Sequence, residues 1–311
     1  MIISCGEALI DMLPRQSASG EDVFLPVAGG ALFNTAIALG RLGEDAGFVS
    51  GISTDMFGRQ LIDALAASKV DTSHCIRSAR PTTLAFVQLT DGQAKYAFFD
   101  ENTAGSGLQP DDLPTLPSDV DALHFGGISL IPEPGAKAYE SLLAQMSDKT
   151  VISIDPNIRP GFISDEAGYR ARIGRMIGQS DIVKVSDDDL DWLAQSDSAG
   201  ADPEGMARQW LQSGVALVII TRGSDGAQLL RNSGELTAPV KPAQVVDTIG
   251  AGDTFNAGFL AGLRRVGCLN KTAIRQASDE NLLEALDLAN RVAAVTVSRA
   301  GANPPWQNEL S

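Results

Sequence analysis

The residues best suited to chemistry lie in Asp247-Thr248-Ile249-Gly250-Ala251-Gly252-Asp253-Thr254-Phe255-Asn256-Ala257-Gly258-Phe259. Two glycines around one alanine let the backbone turn tightly with its N–H groups exposed. Val245 and Val246 read as the end of a strand and Ala257 to Val266 as helix, so Gly250 to Asp253 are expected at a helix N-terminus. Unpaired amides and the helix dipole make such a position an anion site, suited to a phosphoryl group in transfer. A carboxylate placed there repels phosphate unless it has a task, and accepting the proton of an attacking hydroxyl is one. Asp253 is therefore the candidate base, with Gly250, Ala251 and Gly252 as the anion hole. The same residues also fit a plain capped helix start, because Asp and Gly are common there.

A second segment runs from Gly29-Gly30-Ala31-Leu32-Phe33-Asn34 to Gly43. The Gly pair permits a ligand to approach the backbone closely, and Asn34, in the first helical turn, can point its amide toward that gap. Upstream, Gly6-Glu7-Ala8-Leu9-Ile10-Asp11 places Asp11 just after the first strand, where it can accept hydrogen bonds from vicinal hydroxyls. This set suits a polyhydroxy compound. Taken singly, Asp11 and Asn34 serve a turn or a cap equally well.

Other chemistries lack their residues. A dinucleotide fingerprint needs a third glycine where Phe255 stands, which disfavours a Rossmann-type oxidoreductase. No Gly-Lys pair exists for a Walker loop, and no H-E-x-x-H, G-x-S-x-G or His-Arg-Asp motif is present. His74 and His124 have no ligand-spaced companion. Cys5, Cys75 and Cys268 are odd in number and far apart, which suggests neither disulfides nor zinc. The acidic run Asp187-Asp188-Asp189-Leu190-Asp191 begins a helix, where negative charge complements the dipole, and Asp187, Asp188 and Asp191 read as a solvated face. A net charge of −15 without a Lys/Arg cluster argues against nucleic acid and membrane as partners. Met1 to Gly6 has no basic stretch ahead of its apolar run, and no apolar stretch approaches about 18 residues, so a cytoplasmic protein is expected.

The elements that must position these residues alternate. Val120 to Phe125, Val151 to Ile154, Asp181 to Val185 and Ala216 to Thr221 read as strands, with Glu133 to Met146 and Pro203 to Gln212 as helices between them. The pattern predicts an α/β fold, a Rossmann-like three-layer domain with a mainly parallel central sheet. Thr82 to Thr90 and Ala94 to Phe99 break it, flanking Asp91-Gly92 as a hairpin. With Val23 to Val27 they are expected to form a small β-sheet lid over a cleft, drawn from residues 12–28 and 82–101 of one domain spanning 1–311. The 311 residues, 44% apolar and free of low-complexity tracts, suffice for a complete enzyme.

Gly29 to Gly43 resembles the first signature of the ribokinase-like (PfkB) carbohydrate kinases, and Asp247 to Phe259 resembles the second, with Gly250-Ala251-Gly252-Asp253 intact. Both in this order on a βα pattern are highly specific. The resemblance implies an ATP-dependent sugar kinase with Asp253 as base. It places the Ile249 to Gly252 amides around the phosphoryl group, and Asp11, Gly29, Gly30 and Asn34 on the sugar. Asp155-Pro156-Asn157-Ile158-Arg159-Pro160 resembles a stretch of fructokinases and 2-keto-3-deoxygluconate kinases, in which Arg159 faces the substrate or the transferred phosphate.

Lys184-Val185-Ser186-Asp187-Asp188-Asp189 resembles the family's K-x-N-x-x-E stretch, which serves phosphates and Mg²⁺ through water. Here Ser186 and Asp189 replace Asn and Glu, which shortens the acidic arm. Thr221-Arg222-Gly223-Ser224-Asp225-Gly226 resembles a nucleotide segment, and Ala289-Asn290 and Ala293 to Ala302 resemble the wall of the adenine pocket. Lys184, Thr221, Arg222, Gly223, Gly226 and Asn290 are thereby implied on ATP. A monovalent cation, K⁺, is implied at Asp247 and the carbonyls of Ile249, Thr296, Arg299 and Gly301. Likeness to bacterial fructokinases points to fructose, with Glu101 on the lid as a sugar contact. 2-Keto-3-deoxygluconate, ribose or a nucleoside as acceptor stay open, as does a catalytically silent sugar or nucleotide sensor. Lid strands of this kind also imply a homodimer formed through the lid.

Overall fold

The computed structural model describes residues 1–90, 93–195 and 202–310. The chain opens with β1 (Ile2–Cys5), sends β2 (Leu9–Gln16) and β3 (Asp22–Gly29) outward, and returns as α1 (Ala31–Arg41). Then follow β4 (Ala46–Val49), β5 (Gly51–Ser53), α2 (Met56–Ala67), β6 (Val70–Asp71), β7 (Ile76–Ser78), β8 (Thr83–Thr90) and β9 (Gln93–Phe99). Asp91-Gly92, the expected turn between β8 and β9, lies outside the described residues. Strands and helices alternate next: β10 (Ala122–Gly126), α3 (Gly135–Met146), β11 (Val151–Asp155), α4 (Glu166–Ile177) and β12 (Ile182–Ser186). After α5 (Asp187–Ala194), α6 (Pro203–Gln212) and β13 (Leu217–Thr221) come β14 (Ala227–Arg231), β15 (Gly234–Ala238), α7 (Ala251–Arg265) and α8 (Asp279–Val297).

The large sheet has the order β15-β14-β13-β12-β11-β10-β1-β4-β6, parallel from β13 to β6 and antiparallel only at β14 and β15. Its central strands are buried on both faces, which is why they read as continuous apolar runs. Alternate residues feed two cores. Ile2, Ile182 and Leu217 pack with α1, α2, α7 and α8, whereas Ile3, Val183 and Val218 pack with α3, α4, α5 and α6. Three layers result.

The lid is a separate four-stranded sheet of order β3-β2-β8-β9. β2 pairs antiparallel with β3 and parallel with β8, and β8 pairs antiparallel with β9. It begins at Leu9, earlier than expected, so Asp11 sits within the lid strand β2 rather than just after the first strand. The helix expected from Glu133 starts at Gly135. Val245 and Val246 are not a strand: both side chains are largely exposed, and the N–H groups of Val246 and Asp247 bond to the Val297 carbonyl at the end of α8. With no strand beside it to complete a ladder, this segment follows the helix end instead. Among the described residues no helix is long and apolar enough to cross a membrane.

Candidate active site

The carboxyl ends of β1, β10, β11, β12 and β13 open on one side of the sheet, the place where open α/β sheets receive ligands. A cleft of about 380 Å³ lies there between body and lid, and Glu7, Asp11, Asn34, Arg159, Lys184 and Asp253 all line it. Gly250, with φ of 78°, turns the chain into α7 in the left-handed region, where a side chain is strained. A Cβ there would also lie 2.6 Å from the Cβ of Ala302, so the C-terminal loop seats this turn. The turn brings Gly252 and Asp253 into the first turn of α7, whose amides lack intrahelical acceptors.

Asp253 is 8% exposed, and its Oδ2 accepts a hydrogen bond from Asn34 Nδ2 at 2.9 Å. The Thr35 hydroxyl adds a bond to the Asp253 carbonyl at 3.1 Å, joining α1 to α7. Burial pushes the Asp253 carboxyl up to about 7; the Asn34 amide opposes this, while Asp155 and Glu7 reinforce it. A carboxylate tuned near neutrality is suited to take a proton. Asp11 is likewise raised by burial, to about 6.

Gly29 and Gly30 are required by the chain itself. A Cβ on Gly29 would meet the Asp11 carboxylate at 2.4 Å, and one on Gly30 would meet the Glu7 carbonyl at 2.8 Å. Lys184 is buried and pairs with Asp155 at 2.9 Å. Burial alone would lower its pKa, but the Asp155 charge and hydrogen bond hold it above the ordinary lysine range. Its ammonium faces the α7 turn, 3.3 Å from where a Gly252 Cβ would stand. Asp189 lines the cleft, accepting from the amides of Ile158 at 2.9 Å and Ser186 at 3.4 Å.

A second, mainly apolar cavity of about 610 Å³ lies on the other side of this turn. Thr221, Gly223, Gly226 and Asn290 line it, and Asn290 Nδ2 donates to the Pro239 carbonyl at 3.0 Å. Thr248, Ala251 and Gly252 line both cavities, so the two meet at the start of α7.

Two expected residues lie elsewhere, and the amide of a third, which does line the cleft, is already engaged. Arg222 does not line the larger cavity; its guanidinium bonds Gln228 Oε1 at 2.7 Å and approaches Glu204. Glu101 stands past the end of β9 on a different cavity, because the lid strand ends before it. The Ile249 amide donates to Asp247 Oδ1 at 3.0 Å and is not free for a phosphoryl group. Asp247 Oδ2 also accepts from the Gly301 amide at 2.9 Å, which brings those two cation-site positions together. Among the other positions of that set, the Thr296 carbonyl accepts from Arg299 N–H and the Gly301 carbonyl from Asn303 N–H.

Sequence reasoning passed over Glu7, Asp155 and Asn256. Glu7 is buried and ties the start of α1 to the helical turn after β10, accepting from Ala31 N–H at 3.0 Å and Ser129 N–H at 3.2 Å; burial raises its pKa. Asp155 Oδ2 receives Asn256 Nδ2 at 2.8 Å besides Lys184, tying β11 to α7. The available signal was position: both carboxylates stand at or just beyond the carboxyl end of a parallel strand.

A buried carboxylate at the junction of a polar cleft and an apolar pocket, on a three-layer α/β body under a β lid, defines a class of small-molecule kinase. The chain matches the pfkB family carbohydrate kinases over residues 1–309. It is 51% identical over 282 residues to a fructokinase of Rhizobium leguminosarum bv. trifolii, covering 91% of this chain and 85% of that protein. Its structure resembles the fructokinase of Xylella fastidiosa with bound ATP, with a TM-score of 0.92 and 28% identity over 99% and 96% of the two chains. A fructokinase double mutant of Vibrio cholerae in fructose, ADP and potassium ion bound form aligns with a TM-score of 0.82 and 26% identity, over 97% and 93%. The chain belongs to the PfkB family of carbohydrate kinases. Its fold is ribokinase-like, and it is a phosphotransferase with an alcohol group as acceptor.

Proposed function

We propose that this enzyme transfers the γ-phosphoryl group of ATP to a primary hydroxyl of fructose, with Asp253 accepting the hydroxyl proton. The observation that carries the reading is the shared wall: Thr248, Ala251 and Gly252 face both the Asp253 cleft and the apolar pocket. Adenine would lie against the apolar pocket, its phosphates running toward Gly252 and Lys184. The sugar would sit between Asp11, Asn34 and Arg159, with one hydroxyl beside Asp253. In-line transfer then needs positioning and charge stabilisation, which the α7 amides and Lys184 supply. Approach of the lid would exclude water that otherwise hydrolyses ATP.

No group of three or more His, Cys, Asp or Glu among the described residues is arranged to cage a metal. Mg²⁺ would be carried mainly by the nucleotide phosphates, with Asp189, which lines the cleft, as an acidic candidate acting through water. The ion's contribution is to neutralise charge on the polyphosphate. K⁺ fits the loop pair joined by Asp247 and Gly301; equal activity with and without potassium removes it. Exposed Phe24 (49%) and Phe99 (61%) flank Phe86 in a row of edge-on rings on the lid, and homodimerisation through that face is part of the proposal. A cytoplasmic setting is part of the same proposal.

The test is a coupled kinase assay over fructose, 2-keto-3-deoxygluconate, ribose, glucose and adenosine, with the phosphorylated position read by NMR. Highest kcat/KM on fructose is the expected result. A clear preference for another acceptor overturns the substrate assignment, and no turnover on any of them favours a sensor.

A further inference from the structure

The acceptor cleft ends at Phe98, Ile128 and Phe162. The same three residues line another cavity, of about 350 Å³, whose walls do not include Asp253. Phe98 comes from lid strand β9, and Phe162 from the body turn Pro160–Phe162. Their rings meet edge to face, centroids 4.5 Å apart and planes at 70°. An aromatic pair drawn from two layers thus stands as a partition between two spaces of similar size.

The far space has fixed polar walls. Asp100 Oδ1 accepts from the hydroxyls of Thr83 and Thr103, each at 2.6 Å, and the Ser106 hydroxyl bonds the Asp100 carbonyl at 2.6 Å. Glu101 and Glu133 add two carboxylates, while Ile128 and Ile131 supply apolar surface. Hydroxyl acceptors beside aromatic edges and aliphatic carbons are what a sugar ring meets well. Transfer to a single hexose lying beside Asp253 leaves this space unused.

We propose that the second cavity is a subsite for the part of an acceptor that extends beyond its first sugar ring, and that Phe98 and Phe162 limit acceptor length by closing it. The inference rests on the acceptor placement given under the proposed function. The class it fits is a fructofuranosyl unit bearing an uncharged or cationic substituent, since the carboxylates of Asp100, Glu101 and Glu133 repel an anionic one. The chemistry is unchanged. The first ring's hydroxyl oxygen forms the new bond to the γ-phosphorus, the bond from that phosphorus to the β,γ-bridging oxygen breaks, ADP leaves, and the hydroxyl proton passes to Asp253.

The test compares wild type with Phe162→Ala, Phe162→Trp and Phe98→Leu on fructose, on sucrose, and on sucrose oxidised to a carboxylate at the glucosyl C6. Opening the partition should cost a few-fold in kcat/KM for fructose and raise that for sucrose by about tenfold or more, with Phe162→Trp showing no gain. Variants that keep wild-type circular dichroism and lose no more than a few-fold on fructose yet gain nothing on sucrose overturn the proposal, as does an equal gain on the carboxylate. Calorimetric binding of sucrose separates the two readings. Wild type inactive on fructose contradicts the fructose assignment, whereas sucrose affinity gained by Phe162→Ala supports the subsite and its absence overturns it, whichever hexose is the substrate.

Discussion

The two sides of the α7 turn are built on different principles. On the side proposed for the acceptor, four carboxylates (Glu7, Asp11, Asp189 and Asp253) face a cleft, and three of them, Glu7, Asp189 and Asp253, accept hydrogen bonds from residues far apart in sequence. On the side proposed for the nucleotide, glycines from the turn after β13 and apolar side chains from residues 240–245, α7 and α8 enclose a larger pocket, where Asn290 is held by one bond to a backbone carbonyl. The polar side fixes single atoms, so one substitution there should alter chemistry. The apolar side fixes a shape, so single substitutions should give graded losses of affinity.

The largest expected break is Asp253→Asn. Loss of the base should lower kcat by about 10³- to 10⁴-fold with the KM for ATP nearly unchanged, read by steady-state kinetics. The same variant sharpens the contrast through stability. Because the folded carboxyl is raised from 3.8 to about 7, the folded chain holds a proton there that the unfolded chain has lost, and stability falls as pH rises from about 4 to about 7. Asp253→Asn removes that loss, so its Tm should exceed wild type at pH 8, with the gap closing toward pH 4; equal Tm values at pH 8 contradict a carboxyl raised by burial.

Next in size is Asn34→Ala. Its amide is the group that lowers the Asp253 pKa most, so the rising limb of kcat/KM, expected near pH 7 in wild type, should move to higher pH, with about a tenfold loss at pH 7. A loss of activity with no shift of that limb would make Asn34 a sugar contact only. On the nucleotide side, Asn290→Ala should raise the KM for ATP about three- to tenfold and leave kcat and the pH profile in place. Arg222→Ala is the smallest: with its guanidinium on Gln228 and Glu204, the KM for ATP should stay within about twofold. A larger rise would return Arg222 to the nucleotide.

Much of this was legible beforehand because local patterns carry it. Buried parallel strands announce themselves as β-branched runs such as Leu217–Thr221, and the Gly250-Ala251-Gly252-Asp253 turn carries its own φ requirement and the proposed base within four residues. Boundaries shifted where tertiary contact overrode propensity. Val245 and Val246 have strand-forming side chains, but their neighbour is the end of α8 and not a sheet edge.

The amino-acid order alone determined the three-layer body and the lid strands and singled out Asp253 as the proposed base, since each depends on periodicity or on a few adjacent residues. Only the tertiary structure decided that the Asn34 amide bonds Asp253, that Glu7 and Asp155 brace the cleft, that Arg222 and Glu101 face elsewhere, and that Phe98 meets Phe162. Those are contacts between layers. Their partners lie far apart along the chain, and no local preference encodes which side chain a neighbouring layer will bring.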